Sequence, residues 1–404
     1  MGYDDMASRI SLFVFIDALG WEILSQHAFL NDVLTTRAPV ESIFGYSSTC
    51  DPTIITGQMP RAHGHFSFFL YDPAHSPFHL CRLLSVLPAS VTRRGRIRRL
   101  MSRLIGRLYG YTGYFQIYNM PFDRIHLFDY SEKRDIYQPG GINSGAPTIF
   151  DYLRERQIPF LLSNWRRSET DNLAELHRHL AAGQIRFAYL YMAAMDATLH
   201  DDGSPSPRVS AKIAWYARQV DELYTQARAQ YDEVRLYVFS DHGMTNVVRT
   251  VDVMRHITAL PLRFGVDYAA IYDSTMARFW FLTPPAREAI TAALSAIPEG
   301  HIMTAEELAG YGCDFPDQRY GQLFFLLEPG NLLCPSFMGE KPLAGMHGYD
   351  PTHRDSLASY LTNCTATRIP RRLDDFYALM REEIDLVAPV ETDGPATPRL
   401  PEGG

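Results

Sequence analysis

Residues 11–20 read Ser11-Leu12-Phe13-Val14-Phe15-Ile16-Asp17-Ala18-Leu19-Gly20. A short run that is apolar on both faces is what a central strand needs in a parallel sheet covered by helices. Asp17 ends the run, and the small or flexible residues after it let the backbone turn sharply away. A carboxylate is thereby left at the carboxyl edge of the sheet, where open α/β folds assemble their sites. A lone Asp at a strand end is more often a helix cap or a turn residue, so the rest of the chain has to decide its role.

Three further runs have the same character: Phe160 to Leu162, Phe187 to Met192 (FAYLYM) and Leu236 to Phe239 (LYVF). They alternate with longer amphipathic stretches. Between Val209 and Tyr231, Ile213, Tyr216, Val220, Leu223, Tyr224 and Ala227 recur at helical spacing, so that helix is expected to pack on the sheet as core. The expected architecture is α/β, a mostly parallel central sheet with helices on both faces, in one catalytic domain over residues 1–386. Two regions interrupt the alternation. Residues 72–145 are rich in Pro, Arg and aromatics and read as a cap insertion. Residues 268–336, with strands expected at Phe279 to Leu282 and Leu323 to Leu327, read as a small α+β subdomain. The Pro- and Gly-rich residues 387–404 read as a disordered tail.

With 404 residues, 46% hydrophobic, the chain can bury a large core. Its net charge of −8 disfavours binding to a nucleic-acid duplex, which calls for an excess of Lys and Arg. No uncharged apolar run approaches the length of a membrane span. The segment MGYDDMASRI is acidic where an export signal would be basic, and the five cysteines lack CxxC spacing. Buried free thiols in a reducing compartment and a cytoplasmic location are therefore expected.

The polar residues beside the apolar runs carry the chemistry. Asp196 and His200, four apart after FAYLYM, face one way if their segment is helical or turn-like. Asp241-His242-Gly243 follows LYVFS, and His347 sits in Gly345-Met346-His347-Gly348, where glycines permit close backbone approach. Each signal alone is weak; their common placement beside strand ends is not. Carboxylate and imidazole suit zinc, and carboxylates also suit manganese. Divided into Asp196/His200/His347 and Asp17/Asp241/His242, they would hold two cations about 4 Å apart, the arrangement used for in-line displacement at phosphorus.

In that order these residues resemble the alkaline phosphatase superfamily, and most closely its type I phosphodiesterase/nucleotide pyrophosphatase branch, over roughly Ser11 to Leu361. The family places its nucleophilic Ser or Thr ten positions before the Gly of a Thr-Gly pair that is followed by a Pro and a His-Gly. Here SSTCDPTIITGQMPRAHG contains Thr56-Gly57, Pro60 and His63-Gly64, and counting back ten selects Ser47. The resemblance also implies Asp17, Asp196, His200, Asp241, His242 and His347 as metal ligands. One departure concerns the substrate. Nucleotide-cleaving members carry an Asn shortly after the His-Gly, whereas this chain continues His65-Phe66-Ser67-Phe68-Phe69, leaving His65 or Ser67 to supply that hydrogen bond.

The implied activity is metal-dependent hydrolysis of a phosphate ester, most simply a diester or pyrophosphate, through a phosphoserine on Ser47. Two divalent ions, zinc with manganese as the alternative, would activate the hydroxyl. Ser48 and Thr49 are expected to cap the helix that Ser47 begins. A phosphomonoesterase or phosphomutase of the same superfamily is the nearest alternative. A sulfatase fits less well, because Ser48-Thr49-Cys50-Asp51 lacks the Pro and Arg context that chemistry uses, and a metal-stabilised binding protein would not need Ser47. The leaving group, whether nucleoside, sugar, lipid or glycan, is left to the cap, whose rings at Phe66, Phe68, Phe69, Tyr71, Tyr109, Tyr111 and Tyr114 form either a stacking platform or a buried cluster.

Residues 93–108 interleave arginines at Arg93, Arg94, Arg96, Arg98, Arg99, Arg103 and Arg107 with Ile97, Leu100, Met101, Leu104, Ile105 and Leu108. That spacing predicts a basic amphipathic helix. The plainer expectation is a cap helix that buries its apolar face and solvates its arginines. The sharper one is contact with an anionic membrane surface or a polyanionic substrate.

Overall fold

The computed structural model describes residues 8–86, 94–365 and 368–387. Strand β1 (Arg9–Ile16) lies at the middle of a six-stranded sheet with β2 (Thr36–Val40), β3 (Phe160–Leu162), β4 (Phe187–Met192), β5 (Glu233–Phe239) and β6 (Ala358–Thr362). The order is β2-β6-β5-β1-β4-β3. Strands β5, β1, β4 and β3 run parallel, while β6 is antiparallel to both of its neighbours. The register aligns Ile16 with Met192 and Phe15 with Phe239, so the chain leaves β1, β4 and β5 at one edge of the sheet.

Every residue from Ile10 to Ile16 is buried, and their alternation separates two cores. Leu12, Val14 and Ile16 face the helices Glu169–Ala182 and Pro207–Arg228, whose Leu173, Leu176, Val220 and Leu223 join the same cluster. Phe13 and Phe15 face the other way, among Cys50 and Ile54 of the helix Ser47–Thr56, Phe150, and Phe376 of the helix Asp375–Val387. A strand buried on both faces cannot alternate polar with apolar residues, which is why 11–16 reads as one apolar run.

A second sheet of four antiparallel strands, in the order 268–272, 276–281, 323–327 and 300–302, is covered by the helix Pro284–Ser295. Residues of the interrupting segment, among them Phe78, Ile117, Met120 and Phe128, share its hydrophobic cluster. Strand β2, with Pro39 inside it, and β6 were not expected from the sequence. A proline is tolerated in β2 because it forms the sheet's edge. Val387 is the last residue of a helix, and the rest of the expected disordered tail lies outside the described residues, as does Arg93.

Candidate active site

The chain turns out of β1 through Ala18, which holds a left-handed φ of 62°. The turn brings the Ala18 N–H 3.2 Å from Asp241 Oδ1, and it packs Gly20 against Gly243 so tightly that a Cβ on Gly20 would meet the Gly243 Cα at 2.2 Å. The two loops that carry Asp17 and Asp241-His242 are thus locked back to back; a side chain on Gly20 would part them, and one on Gly243 would meet the Asp355 carbonyl at 2.2 Å. Asp196 and His200 lie one turn apart on the helix Ala194–Asp202, which starts directly after β4. His347 is delivered differently. It follows Gly345–Met346, a two-residue strand paired with Thr245–Asn246 just after the Asp241 loop, rather than a strand of the main sheet. Gly345 fits there because a Cβ would sit 2.6 Å from the Leu199 carbonyl.

These turns gather the six residues into two triads, Asp196/His200/His347 and Asp17/Asp241/His242, each with its ligand atoms within 4.8 Å of one another. Asp196 Oδ1 lies 3.2 Å from His200 Nε2 and 3.5 Å from His347 Nε2. His242 Nε2 lies 3.0 Å from Asp241 Oδ2 and 3.6 Å from Asp17 Oδ1. The His242 and His347 rings stack at 3.7 Å between centroids, which joins the two triads.

The outer contacts orient these groups. His200 Nδ1 faces the Gly345 carbonyl at 2.8 Å and His242 Nδ1 faces the Gly243 carbonyl at 2.9 Å, so in the neutral rings Nδ1 carries the proton and Nε2 presents a lone pair. Asp17 Oδ2 accepts from the Tyr191 hydroxyl at 2.6 Å and Asp241 Oδ1 from Ala18. The remaining oxygens, Asp17 Oδ1, Asp241 Oδ2 and Asp196 Oδ1, are buried and receive no hydrogen bond. Lone pairs facing donorless carboxylate oxygens repel unless a proton or a metal cation stands between them. Two Asp-and-His sets of this kind fit a pair of divalent cations.

The electrostatics agree. Burial, and then the charges of Asp241, Asp196 and Asp51, push the Asp17 carboxyl well above its usual range. Burial depresses His242, but the Asp241 carboxylate 3.0 Å from its Nε2 outweighs it and raises the imidazole to about 9. For His200 the same contest, with Asp196 as the partner, ends above the usual value, whereas burial and then His242 hold His347 well below it. Asp196 is penalised by burial, yet the His200 imidazole 3.2 Å away, and then His347 and His242, hold its carboxyl below the usual range.

Ser47 is the first residue of the helix Ser47–Thr56, and its Oγ lies 3.1 Å from His242 Nε2. That hydroxyl and the second triad therefore converge on one point, at a helix end whose first amides favour an anion. Ser48 and Thr49, expected as caps, play another part. Both donate to the Phe66 carbonyl, and the helix has no side-chain cap. They tie the helix to the segment after His63-Gly64 and leave Ser47 as the hydroxyl turned to the cage.

Over the cage opens a cavity of about 480 Å³. Its wall includes Ser67, Phe68, Tyr114, Tyr118, Trp165 and Glu132. Ser67 Oγ accepts from Arg278 Nη2 at 2.8 Å, and Arg278 is fully buried in an ion pair with Asp273 at 2.8 Å, so the hydroxyl is held in place. His65 is not in the cavity wall; its Nε2 accepts from the Asn143 N–H at 2.9 Å. No Asn side chain lines the cavity among the described residues. Of the aromatic cap residues, Phe68 and Tyr114 reach the wall, Phe66 and Phe69 are buried in clusters, and Tyr71, Tyr109 and Tyr111 stand elsewhere.

Sequence reasoning passed over Tyr191, Asp51 and Glu132. Tyr191 is a strand residue of FAYLYM and gave no sign of reaching Asp17. Asp51 stands one helical turn after Ser47, a spacing that could have found it; burial, and then Asp241, push its carboxyl up. Glu132 is pushed up by burial and by Asp51 and Asp135, and has no ion pair or hydrogen bond among the described residues.

The sequence profile of the family described as Type I phosphodiesterase / nucleotide pyrophosphatase matches residues 150–350. No curated protein sequence matches the chain. Among solved structures, an inactive form of murine ectonucleotide pyrophosphatase/phosphodiesterase 5 in complex with AMP superposes with a TM-score of 0.67 at 18% identity, covering 95% of this chain and 97% of the other. The human protein of the same name gives 0.66 at 15% identity, covering 93% and 95%. At these identities the structural likeness establishes the fold.

Proposed function

We propose that the chain, whose residues 150–350 match the Type I phosphodiesterase / nucleotide pyrophosphatase profile, is a phosphoric ester hydrolase that cleaves a phosphodiester or pyrophosphate through Ser47. The observation that carries this reading is the convergence of Ser47 Oγ with the Asp17/Asp241/His242 triad, 3.1 Å from His242 Nε2. Asp17, Asp241 and His242 would hold one divalent cation and Asp196, His200 and His347 a second. Zinc suits this Asp and His donor set, with manganese the alternative, and the ions would supply the Lewis acidity that makes a serine hydroxyl nucleophilic near neutral pH.

In the proposed reaction the helix end at Ser47 favours the phosphoryl oxygens. The bond from Ser47 Oγ to phosphorus forms as the bond to the leaving oxygen breaks in line, and the proton lost from Oγ balances the one the leaving oxygen takes up. Water then displaces Ser47 from the phosphoserine, returning a proton to Oγ. Ser67, which accepts from Arg278 and donates to Asp273 Oδ1 at 3.5 Å, would turn its hydroxyl from that long contact to a phosphoryl oxygen where nucleotide-cleaving relatives use Asn. Phe68, Tyr114, Tyr118 and Trp165 offer ring faces to the leaving group.

The test is Ser47→Ala on metal-loaded protein with bis-p-nitrophenyl phosphate. Turnover should fall by at least about three orders of magnitude while two metals per chain remain bound. Dialysis against a chelator should inactivate the wild type, with recovery on adding zinc or manganese. Near-normal turnover by Ser47→Ala would remove Ser47 from this role.

A further inference from the structure

Between residues 73 and 122 the chain has eight arginines and not one Asp or Glu, although its net charge is −8. Within this segment the helix Gly95–Leu108 packs Met101 and Ile105 on the cluster of the second sheet, yet it has a second apolar stripe that it does not bury. The face it buries carries Arg98 and Ser102: Arg98 donates to the Met120 carbonyl at 2.5 Å with its guanidinium 4.1 Å from the Phe122 ring centre, and Ser102 Oγ accepts from the Ile117 N–H at 3.1 Å. The face it exposes carries Leu100, Leu104 and Leu108, one turn apart and 56%, 57% and 74% exposed. The adjoining 3₁₀ turn His79–Val86 exposes Leu80, Leu83 and Val86. A hydrogen bond of 2.6 Å from the Tyr109 hydroxyl to the Pro77 carbonyl ties the end of the helix to the start of that turn.

Arg96 stands on the leucine stripe, and Arg99, Arg103 and Arg107 form the neighbouring one. All four are exposed, and none has an ion pair or hydrogen bond among the described residues. Three leucines at i, i+4 and i+8 in water are a cost that a cap helix would avoid by rotating. Here the internal bonds of Arg98 and Ser102 hold the opposite rotation. Hydrocarbon bordered by guanidinium groups is the pattern of a helix that lies in the headgroup region of an anionic bilayer. No helix among the described residues is long and apolar enough to cross a membrane, so the contact would be with a surface.

We propose that the helix Gly95–Leu108 and the turn His79–Val86 form a docking surface for an anionic lipid bilayer, with the leucines entering the interface and the arginines at the lipid phosphates. The chain reaches Tyr114 of the cavity wall six residues after Leu108, so the docking helix and the cavity wall belong to one segment. The proposal holds whether or not Ser47 is the nucleophile.

Flotation of the metal-loaded full chain tests it, using vesicles of phosphatidylcholine alone and of phosphatidylcholine with phosphatidylglycerol. The wild type should float with the anionic vesicles and not with the neutral ones. Leu100→Gln/Leu104→Gln/Leu108→Gln, which leaves the charge intact, should cut the bound fraction at least about tenfold, and Arg96→Gln/Arg99→Gln/Arg103→Gln/Arg107→Gln should do the same. Unchanged melting and unchanged hydrolysis of a soluble phosphodiester would show that both variants are folded. Absence of flotation by the wild type would overturn the proposal. So would loss of binding in the arginine variant alone, which marks general adsorption of polyanions, or a wild-type dimer that the leucine substitutions dissociate, which marks a second copy as the occupant.

Discussion

Asp241 is completely buried and Leu108 is 74% exposed. Each inverts the usual rule of burial, and the two inversions are resolved differently. At the cage, the cost of burying a carboxylate is offset within the protein: Ala18 donates to one oxygen, His242 adjoins the other, and the donor set fits a cation. At the cap helix nothing among the described residues covers the leucines, while the polar residues beneath them are well bonded. A buried charge with neighbours points to chemistry; an exposed apolar stripe without them points to a partner.

The comparison can be broken at three places, in decreasing order of expected effect. Asp241→Asn keeps the Ala18 acceptor and the volume but removes the charge. Turnover should drop by at least about a hundredfold, and bound metal should fall from two per chain to one. Because Asp241 both pushes Asp17 up and holds the charge on His242, its loss should change the melting of the metal-free protein little while lowering that of the metal-loaded protein. Calorimetry with and without chelator reads both, and a variant that melts equally lower in both states would mean that the carboxylate is structural. Tyr191→Phe removes one hydrogen bond from Asp17 Oδ2 and leaves the carboxylate in place. Metal affinity should weaken about tenfold with little change in the metal-loaded kcat, as competition with a chromogenic chelator would show. The smallest effect is expected at the cap. Leu104→Gln should change the melting free energy in the absence of lipid by less than about 0.5 kcal/mol; a loss of 2 kcal/mol or more, of the size expected on emptying a core site, would mean that Leu104 is packed after all.

The parallel strands could be read from the chain because a strand covered on both sides must be apolar along its buried run, and residues 12–16, 160–162, 187–192 and 236–239 all are. The outer strands could not. Thr36–Val40 contains a proline and an arginine, and Ala358–Thr362 mixes Ser and Thr with Tyr and Leu, so neither stands out from a loop. Asp17, Asp196, Asp241 and His242 were legible because strand ends in an open α/β sheet have a common destination. His347 was legible through its glycines, but not the small antiparallel pairing that delivers it. The second set of contacts, Tyr191 to Asp17 and Ser48 and Thr49 to Phe66, left no periodic trace, since residues that meet across 17 or more positions obey no local spacing.

The sequence by itself determined which segments are central strands, which six groups could ligate a metal, and which serine stands at the family's spacing from the Thr-Gly pair. All of these follow from local order, because burial on two faces, strand ends and fixed intervals are written along the chain. Only the tertiary structure decided that the two triads meet through the stacked rings of His242 and His347 with Ser47 against His242, that His65 turns to Asn143 while Ser67 faces the cavity, and that the basic helix buries Arg98 and exposes its leucines. A helix carries its apolar and polar stripes wherever it goes; which stripe meets the protein depends on the hydrogen bonds and rings waiting on the other side, and these come from residues distant in the chain.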